Sequence, residues 1–171
     1  MKKIILSLGL LMLMSLGVSA QKFAFIDSEY ILENIPEYQA AQKQLDQMSI
    51  QWQKEIEAQF SEIEKLYKDY QAESMLLPDD VRKTREEAIV AKEKQAKDLQ
   101  KQRFGRDGDL FKKRQELIKP IQDKMYEAIK EVSEKGSYAI VFDKSGGVTM
   151  VYTDVKFDLS DEILNKMGYR K

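Results

Sequence analysis

The chain has 171 residues, with 28 basic side chains against 29 acidic ones, no Cys and no His. These numbers exclude disulfide stapling, His-based metal centres and His general-base chemistry, and they leave no basic excess for gripping nucleic acid. One third of the residues are charged, above the usual quarter of a soluble domain, which favours long solvated helices over one spherical core.

Residues 1–20 read as a secretory signal peptide. Lys2 and Lys3 form a basic start, Ile4–Met14 is apolar except at Ser7 and Gly9, and Val18-Ser19-Ala20 supplies small residues ahead of a cleavage point after Ala20. The apolar run is too short to serve comfortably as a membrane anchor. Without Cys the exported chain has no site for lipid anchoring, and export without disulfides suits a soluble protein of a bacterial cell envelope.

After the leader, Phe23, Ala24, Phe25 and Ile26 predict a strand. Asp27-Ser28 reads as a helix cap. No second strand-like run follows for more than a hundred residues. Instead Tyr38, Ala41, Leu45, Met48, Trp52, Ile56, Phe60, Ile63, Tyr67 and Tyr70 recur at steps of three and four, the mark of one apolar stripe on a helix. Gly and Pro are absent from Glu37 to Leu77. Pro78 then ends the helix, and Asp79 or Asp80 caps the next one, which runs to about Phe104.

The two helices are expected to fold back on each other. A turn centred at Leu77–Pro78 places Tyr67 opposite Ala88, Phe60 opposite Gln95 or Ala96, Ile56 opposite Leu99, Trp52 opposite Arg103 or Phe104, Leu45 opposite Leu110, and Tyr38 opposite Leu117 or Ile118. The outgoing segment Glu37–Asp79 is acid-rich and the returning segment Lys92–Arg114 is base-rich, which helps select that register. Gly105 and Gly108 mark a hinge or a plain surface loop in the returning limb, and Pro120 predicts a kink further on. The limb continues through Ile121, Met125, Ile129 and Val132 and stops at Gly136.

Tyr138–Phe142, the turn residues Asp143–Gly147 and Val148–Thr153 read as a β-hairpin that pairs with the opening strand. Asp158–Gly168 predicts a short helix capped by Asp158 or Ser160. The expected fold is α+β: a small antiparallel β body of residues 21–36 and 117–171, with an antiparallel coiled-coil hairpin, residues 37–116, protruding from it as an arm. Without the arms the body, residues 21–35 and 136–171, is only about fifty residues, too few to bury an adequate core without disulfides or metal. Association between copies is the remaining route, with Phe23, Phe25, Ile31, Leu32, Val141 and Val151 as the expected interface.

The outgoing stripe is thicker than the returning one, so apolar surface should stay open along the arm and at its tip. Trp52, Ile56, Phe60, Ile63, Tyr67, Tyr70, Met75, Leu76 and Leu77 are the candidate contacts for a bound polypeptide. The bland alternative is that the stripe is coiled-coil core. No catalytic, cofactor-binding or metal-ligating set is expected. The chain has no GxxxxGK[ST] phosphate loop, Asp143-Lys144-Ser145 reads as a turn, and no acidic run has calcium-loop spacing.

The runs FGRDGDLFKKRQELIKPIQDKMYEAIKEV and YAIVFDKSGGVTMVYTDVKFDLSDEILNKMGY, with the opening FAFIDSEYILENIPEY, resemble the Skp/OmpH family of periplasmic chaperones. The resemblance implies a homotrimer with a β body and three helical tentacles. It implies ATP-independent holding of unfolded outer-membrane proteins in the periplasm, without nucleic acid, and the outer-membrane assembly machinery is a further expected partner. The chain departs from the strongly basic relatives in being mildly acidic, which shifts weight from charge to apolar contacts. The rival reading is a structural coiled-coil spacer or adaptor of the cell envelope.

Overall fold

The computed structural model describes residues 21–147 and 149–169. The expected leader, residues 1–20, lies outside the described residues. The described residues divide into two compact units, one built from residues 21–31 together with 127–169, the other from Leu32–Tyr126.

The helical unit is dominated by α2, Pro36–Glu73, which follows the short helix α1, Ser28–Glu33. Pro36 sits in the first turn of α2, where a missing N–H costs nothing. Thirty-eight residues without an interior breaker give a helix about 57 Å long. Its buried positions are Ala41, Leu45, Ile56 and Ile63, all members of the expected stripe. A 3-10 turn at Ser74–Leu76 and extended backbone at Leu77 reverse the chain. Helix α3, Asp79–Phe104, then begins directly after Pro78. The expected side-chain cap is absent, because Pro78 itself occupies the capping position. Asp79 and Asp80 lie in the first turn, where their charges still favour the helix N-terminus.

The returning limb packs in the expected register. Trp52 meets Phe104 edge-on at 6.3 Å between ring centres, Glu62 pairs with Lys92 at 2.8 Å, and Tyr70 donates its hydroxyl proton to Glu86. Each partner lies within one residue of the position set by a turn at Leu77–Pro78. The inter-helix ion pairs Glu55–Arg103, Glu62–Lys92 and Glu73–Arg85 all place the acid on α2 and the base on α3. The Lys92 ammonium donates to Glu62 and holds its carboxyl below the usual range. On so exposed a surface this pairing selects register more than it adds stability.

Two apolar clusters hold the unit. Ile63, Ile89 and Ala96 form one, flanked by Phe60, Leu66 and Tyr70. Ala41, Leu45 and Ile118 form the other, with Tyr38, Leu110 and Leu117 against them. Between the helical segments of the returning limb, Gly105–Gly108 interrupt the helix, and α4, Asp109–Leu117, resumes it. The glycines are required by close approach. A Cβ on Gly105 would lie 2.3 Å from the Lys101 carbonyl oxygen, and one on Gly108 would lie 2.7 Å from that of Gln102. We therefore expect Gly105→Ala to lower the chemical-denaturation stability of the chain by roughly 1–3 kcal/mol, the usual cost of forcing backbone apart.

Pro120 has the expected effect. It has no N–H to continue the ladder, so α4 ends at Leu117 and α5, Lys119–Gly136, begins afresh. Ile121 and Gln122 both donate their N–H groups to the Ile118 carbonyl at the junction, at 3.0 and 3.1 Å.

The sheet unit corrects one expectation. Strand β1, Lys22–Ile26, does pair with β2, Tyr138–Asp143, but the two run parallel, with Ala24 beside Val141 and Phe25 beside Phe142. Among the described residues the expected antiparallel hairpin is not formed, since Thr149–Thr153 form no strand; Val148, the first residue of that run, lies outside the described residues. A parallel pair needs a long crossover connection, and the helical excursion between Ile26 and Tyr138 is one. On the opposite edge of β1, Leu159 N–H donates to the Phe25 carbonyl at 2.9 Å, so the second contact of β1 comes from the approach to the last helix. That helix, α6, spans Ser160–Lys166. The capping position is taken by Leu159, which makes no side-chain cap bond, while Asp158 just before it accepts the Ser160 N–H at 2.9 Å. The buried residues of this unit include Ala24, Phe25, Ile26, Ile31, Ile163 and Leu164.

Candidate functional site

No helix of the described residues is long and apolar enough to cross a membrane, and no group of His, Cys, Asp or Glu among them is placed to hold a metal ion. The conspicuous surfaces are apolar, and there are two.

The first is the tip of the helix pair. Met75 is 95% exposed and Leu76 85%. They sit in the 3-10 turn, which has no buried residue of its own. The last cross-links between the two helices, Tyr70 to Glu86 and Glu73 to Arg85, lie just before the turn, and the Met75 and Leu76 side chains beyond them stay largely uncovered. Leu77 is half-buried, and Val81 on α3 and Tyr67 on α2 are exposed.

The nine candidate binding residues do not form one surface. Ile56 and Ile63 are buried between the helices and offer nothing to a partner in this conformation. Ile63 packs with Ile89 and Ala96, and Ile56 is only 2% exposed. Phe60 and Tyr70 pack half-buried against the Ile63 cluster. Trp52 is half-buried against Phe104 and the Arg103 guanidinium, whose carbon lies 4.8 Å from the ring centre. Tyr67, Met75 and Leu76 are the members left open.

The second surface is in the sheet unit. An open groove of about 780 Å³ is lined by Phe23, Phe25, Tyr138, Phe142, Tyr152 and Phe157, among others. Val151 is 95% exposed and Tyr152 84%. Lys156 lies over the Phe157 ring at 4.9 Å and Lys22 over Tyr138 at 6.0 Å. Of the six residues expected to join copies, Phe23 and Val151 are exposed, and Val141 is half-buried. Phe25, Ile31 and Leu32 are buried within the chain itself, because the inward face of β1 and the first turns of α1 need them as core. Sequence reasoning missed Ile140, Phe142, Tyr152 and Phe157. Ile140 and Phe142 were findable, since they alternate with Val141 along β2 and mark the opposite face of the strand.

A polar knot ties the start of α1 to the end of β2. Asp143 accepts the Ser28 N–H at 3.1 Å and the Ser28 hydroxyl at 2.6 Å. It also accepts the Ser145 N–H at 3.1 Å and the Ser145 hydroxyl at 2.8 Å. Partial burial pushes the Asp143 carboxyl up, but the donors from Ser28 and Ser145 outweigh it and hold the group below its ordinary value of 3.8. Asp27 caps α1 by accepting the Tyr30 N–H at 2.9 Å and pairs with Lys144 at 3.1 Å. These residues are structural, as the sequence reading of cap and turn expected.

Residues 22–167 match the family model described as outer membrane protein (OmpH-like). The chain belongs to the OmpH-like family. Within reach of this OmpH-like chain is the "Chaperone protein Skp" of Yersinia enterocolitica, 26% identical over 169 residues and aligned across 94% of each chain. A solved structure of an OmpH-like outer membrane chaperone from Caulobacter crescentus superposes with a TM-score of 0.66, covering 88% of this chain and 86% of that one. At 12% identity the second likeness speaks for the OmpH-like fold alone.

Proposed function

We propose that this OmpH-like chain is an ATP-independent holdase of the periplasm that keeps unfolded outer-membrane proteins from aggregating. In this reading the leader is removed after Ala20. Three copies associate through the groove around Phe23, Phe142 and Tyr152, and clients are held among the helical arms, residues 37–116. The outer-membrane assembly machinery receives the client. The observation that carries the reading is the open tip: two long apolar side chains, Met75 and Leu76, stand almost fully in solvent at the turn of a helix pair whose interior is otherwise packed. Exposed apolar surface of this kind is retained for contact with a partner. Methionine suits a partner of variable sequence, because its unbranched thioether adapts to many shapes. The family match and the likeness to Skp support the same reading.

The closed interior of Ile56, Ile63, Ile89 and Ala96 favours a second reading, a coiled-coil spacer or adaptor of the envelope. One experiment separates them. An unfolded outer-membrane β-barrel protein is diluted from urea with and without the purified mature chain, and turbidity is followed. The holdase reading expects suppression by the parent chain. Burying two such side chains against a client is worth about 1.5–3 kcal/mol each. The Met75→Ser/Leu76→Ser double variant should therefore need at least roughly tenfold more protein for equal suppression, with unchanged thermal unfolding. Light scattering on the same samples should give about three chain masses. Aggregation that proceeds unaltered beside the parent chain supports the spacer, and a monomeric mass removes the shared cavity.

A further inference from the structure

Arg103, in the last turn of α3, differs from the other paired cations of the helical unit. Its side chain is 25% exposed, while those of Lys68, Arg82, Arg85 and Lys92 are all above 40%. The guanidinium makes three contacts. Nη1 donates to Asp109 Oδ2 at 2.7 Å, and Asp109 opens α4 on the far side of the Gly105–Gly108 break. Nη2 lies 3.8 Å from the Glu55 carboxylate on α2. The guanidinium carbon lies over the Trp52 ring of α2, 4.8 Å from its centre. Nε is buried, and among the described residues it is the buried side-chain nitrogen or oxygen atom left without a hydrogen-bond partner.

These contacts join three segments, α2, the end of α3 and the start of α4; Gln102 Nε2 also reaches Asp109 Oδ2 across the break, but at a long 3.5 Å and without a contact to α2. The break lies between the two apolar clusters, Ile63–Ile89–Ala96 on one side and Ala41–Leu45–Ile118 on the other. The closed break leaves one buried donor unmet, which disfavours it, while the charge-assisted bond to Asp109 and the contact with the Trp52 ring favour it. A junction balanced in this way changes state when one partner is weakened.

We propose that Arg103 is a clasp that holds the α3–α4 break shut, and that the returning limb opens at Gly105–Gly108 when the clasp is released. Release is sensitive to salt, because much of the holding force is the attraction between Arg103 and the two carboxylates of Asp109 and Glu55. Arm mechanics of this kind do not depend on what the arm holds, so the proposal and the holdase reading can fail separately.

Hydrogen exchange on the full mature chain tests it, with residues 104–112 as the reporting segment and residues 83–95 as the internal control. Arg103→Gln removes the clasp, and the near-isosteric Asp109→Asn weakens it with little risk to folding. At 0.1 M NaCl each variant is expected to exchange roughly tenfold faster than the parent over 104–112, with the control within about twofold, and tenfold corresponds to about 1.4 kcal/mol of opening free energy. The Debye length falls from about 10 Å at 0.1 M salt to about 3 Å at 1 M. Raising NaCl over that range should therefore speed the parent at 104–112 and leave the Arg103→Gln variant unchanged. Parent-like exchange at 104–112 in both variants overturns the proposal. So does acceleration spread equally over 83–95, or a salt response that survives the loss of Arg103.

Discussion

Replacing Ile163 with Ala is expected to destabilise the sheet unit by about 2–5 kcal/mol, the range for truncating a fully enclosed aliphatic side chain. Ile163 has no measurable exposure and is among the largest fully buried side chains of the protein. It sits on the seven-residue helix α6, which is too short to hold its shape alone and depends on burying this one face. The helix is also tied to β1, since Leu159 N–H donates to the Phe25 carbonyl and Asp27 N–H donates to the Ser160 hydroxyl at 2.9 Å. Loss of Ile163 therefore loosens the second edge of β1 as well as α6. Urea unfolding followed by tyrosine fluorescence should show the midpoint fall while far-UV circular dichroism, dominated by the helical unit, changes little at low denaturant. A midpoint within error of the parent would mean that α6 is not part of the core.

Removing the Asp143 carboxylate is the second large change. Asp143→Ala leaves the N–H groups of Ser28 and Ser145 and both hydroxyls without their acceptor. Hydrogen bonds to a charged group are worth about 1.5–3 kcal/mol, less where water can substitute. Part of this knot is open to solvent, so a loss of about 2–3 kcal/mol is expected. The effect also has a pH signature. The folded carboxyl titrates below its ordinary value of 3.8. The stability it contributes is thus fully present above that value and disappears as pH falls through the lower folded value. Urea midpoints of the parent should therefore hold steady down to about pH 5 and then fall as the solution is acidified below about pH 4. Those of Asp143→Ala should show a shallower decline over the same window. Parallel curves for the two proteins would assign the acid sensitivity to other carboxylates.

Much of the helical unit was legible. The steps of three and four from Tyr38 to Tyr70 marked α2 because a helix turns each such residue to the same side. Pro78 marked the reversal because proline cannot donate the next bond of the ladder, and the position of that reversal then set the pairing of Trp52 with Phe104 and Glu62 with Lys92. What the stripe could not reveal was the division of labour within it. Ile56 and Tyr67 have the same periodicity, yet one is enclosed and the other open, because enclosure depends on which residue of α3 lies opposite and how large it is. The register placed Arg103 or Phe104 opposite Trp52, but nothing in the sequence marked Arg103 as the partner of Asp109 across the break. Its distinction comes from Trp52 and Asp109 meeting it in space.

By itself the sequence determined the long helices, their turn, their register and the two interruptions at Gly105–Gly108 and Pro120. Each of these follows from local stereochemistry or from a fixed repeat, and both act over a few residues. Only the tertiary structure decided that β1 and β2 run parallel, that Val151 and Tyr152 stand free of any strand, and that Phe25, Ile31 and Leu32 are core. Strand direction depends on the end of the sheet at which the chain re-enters after a helical journey of more than a hundred residues. Burial depends on neighbours brought from equally far along the chain, and neither distance is written in the period of a short segment.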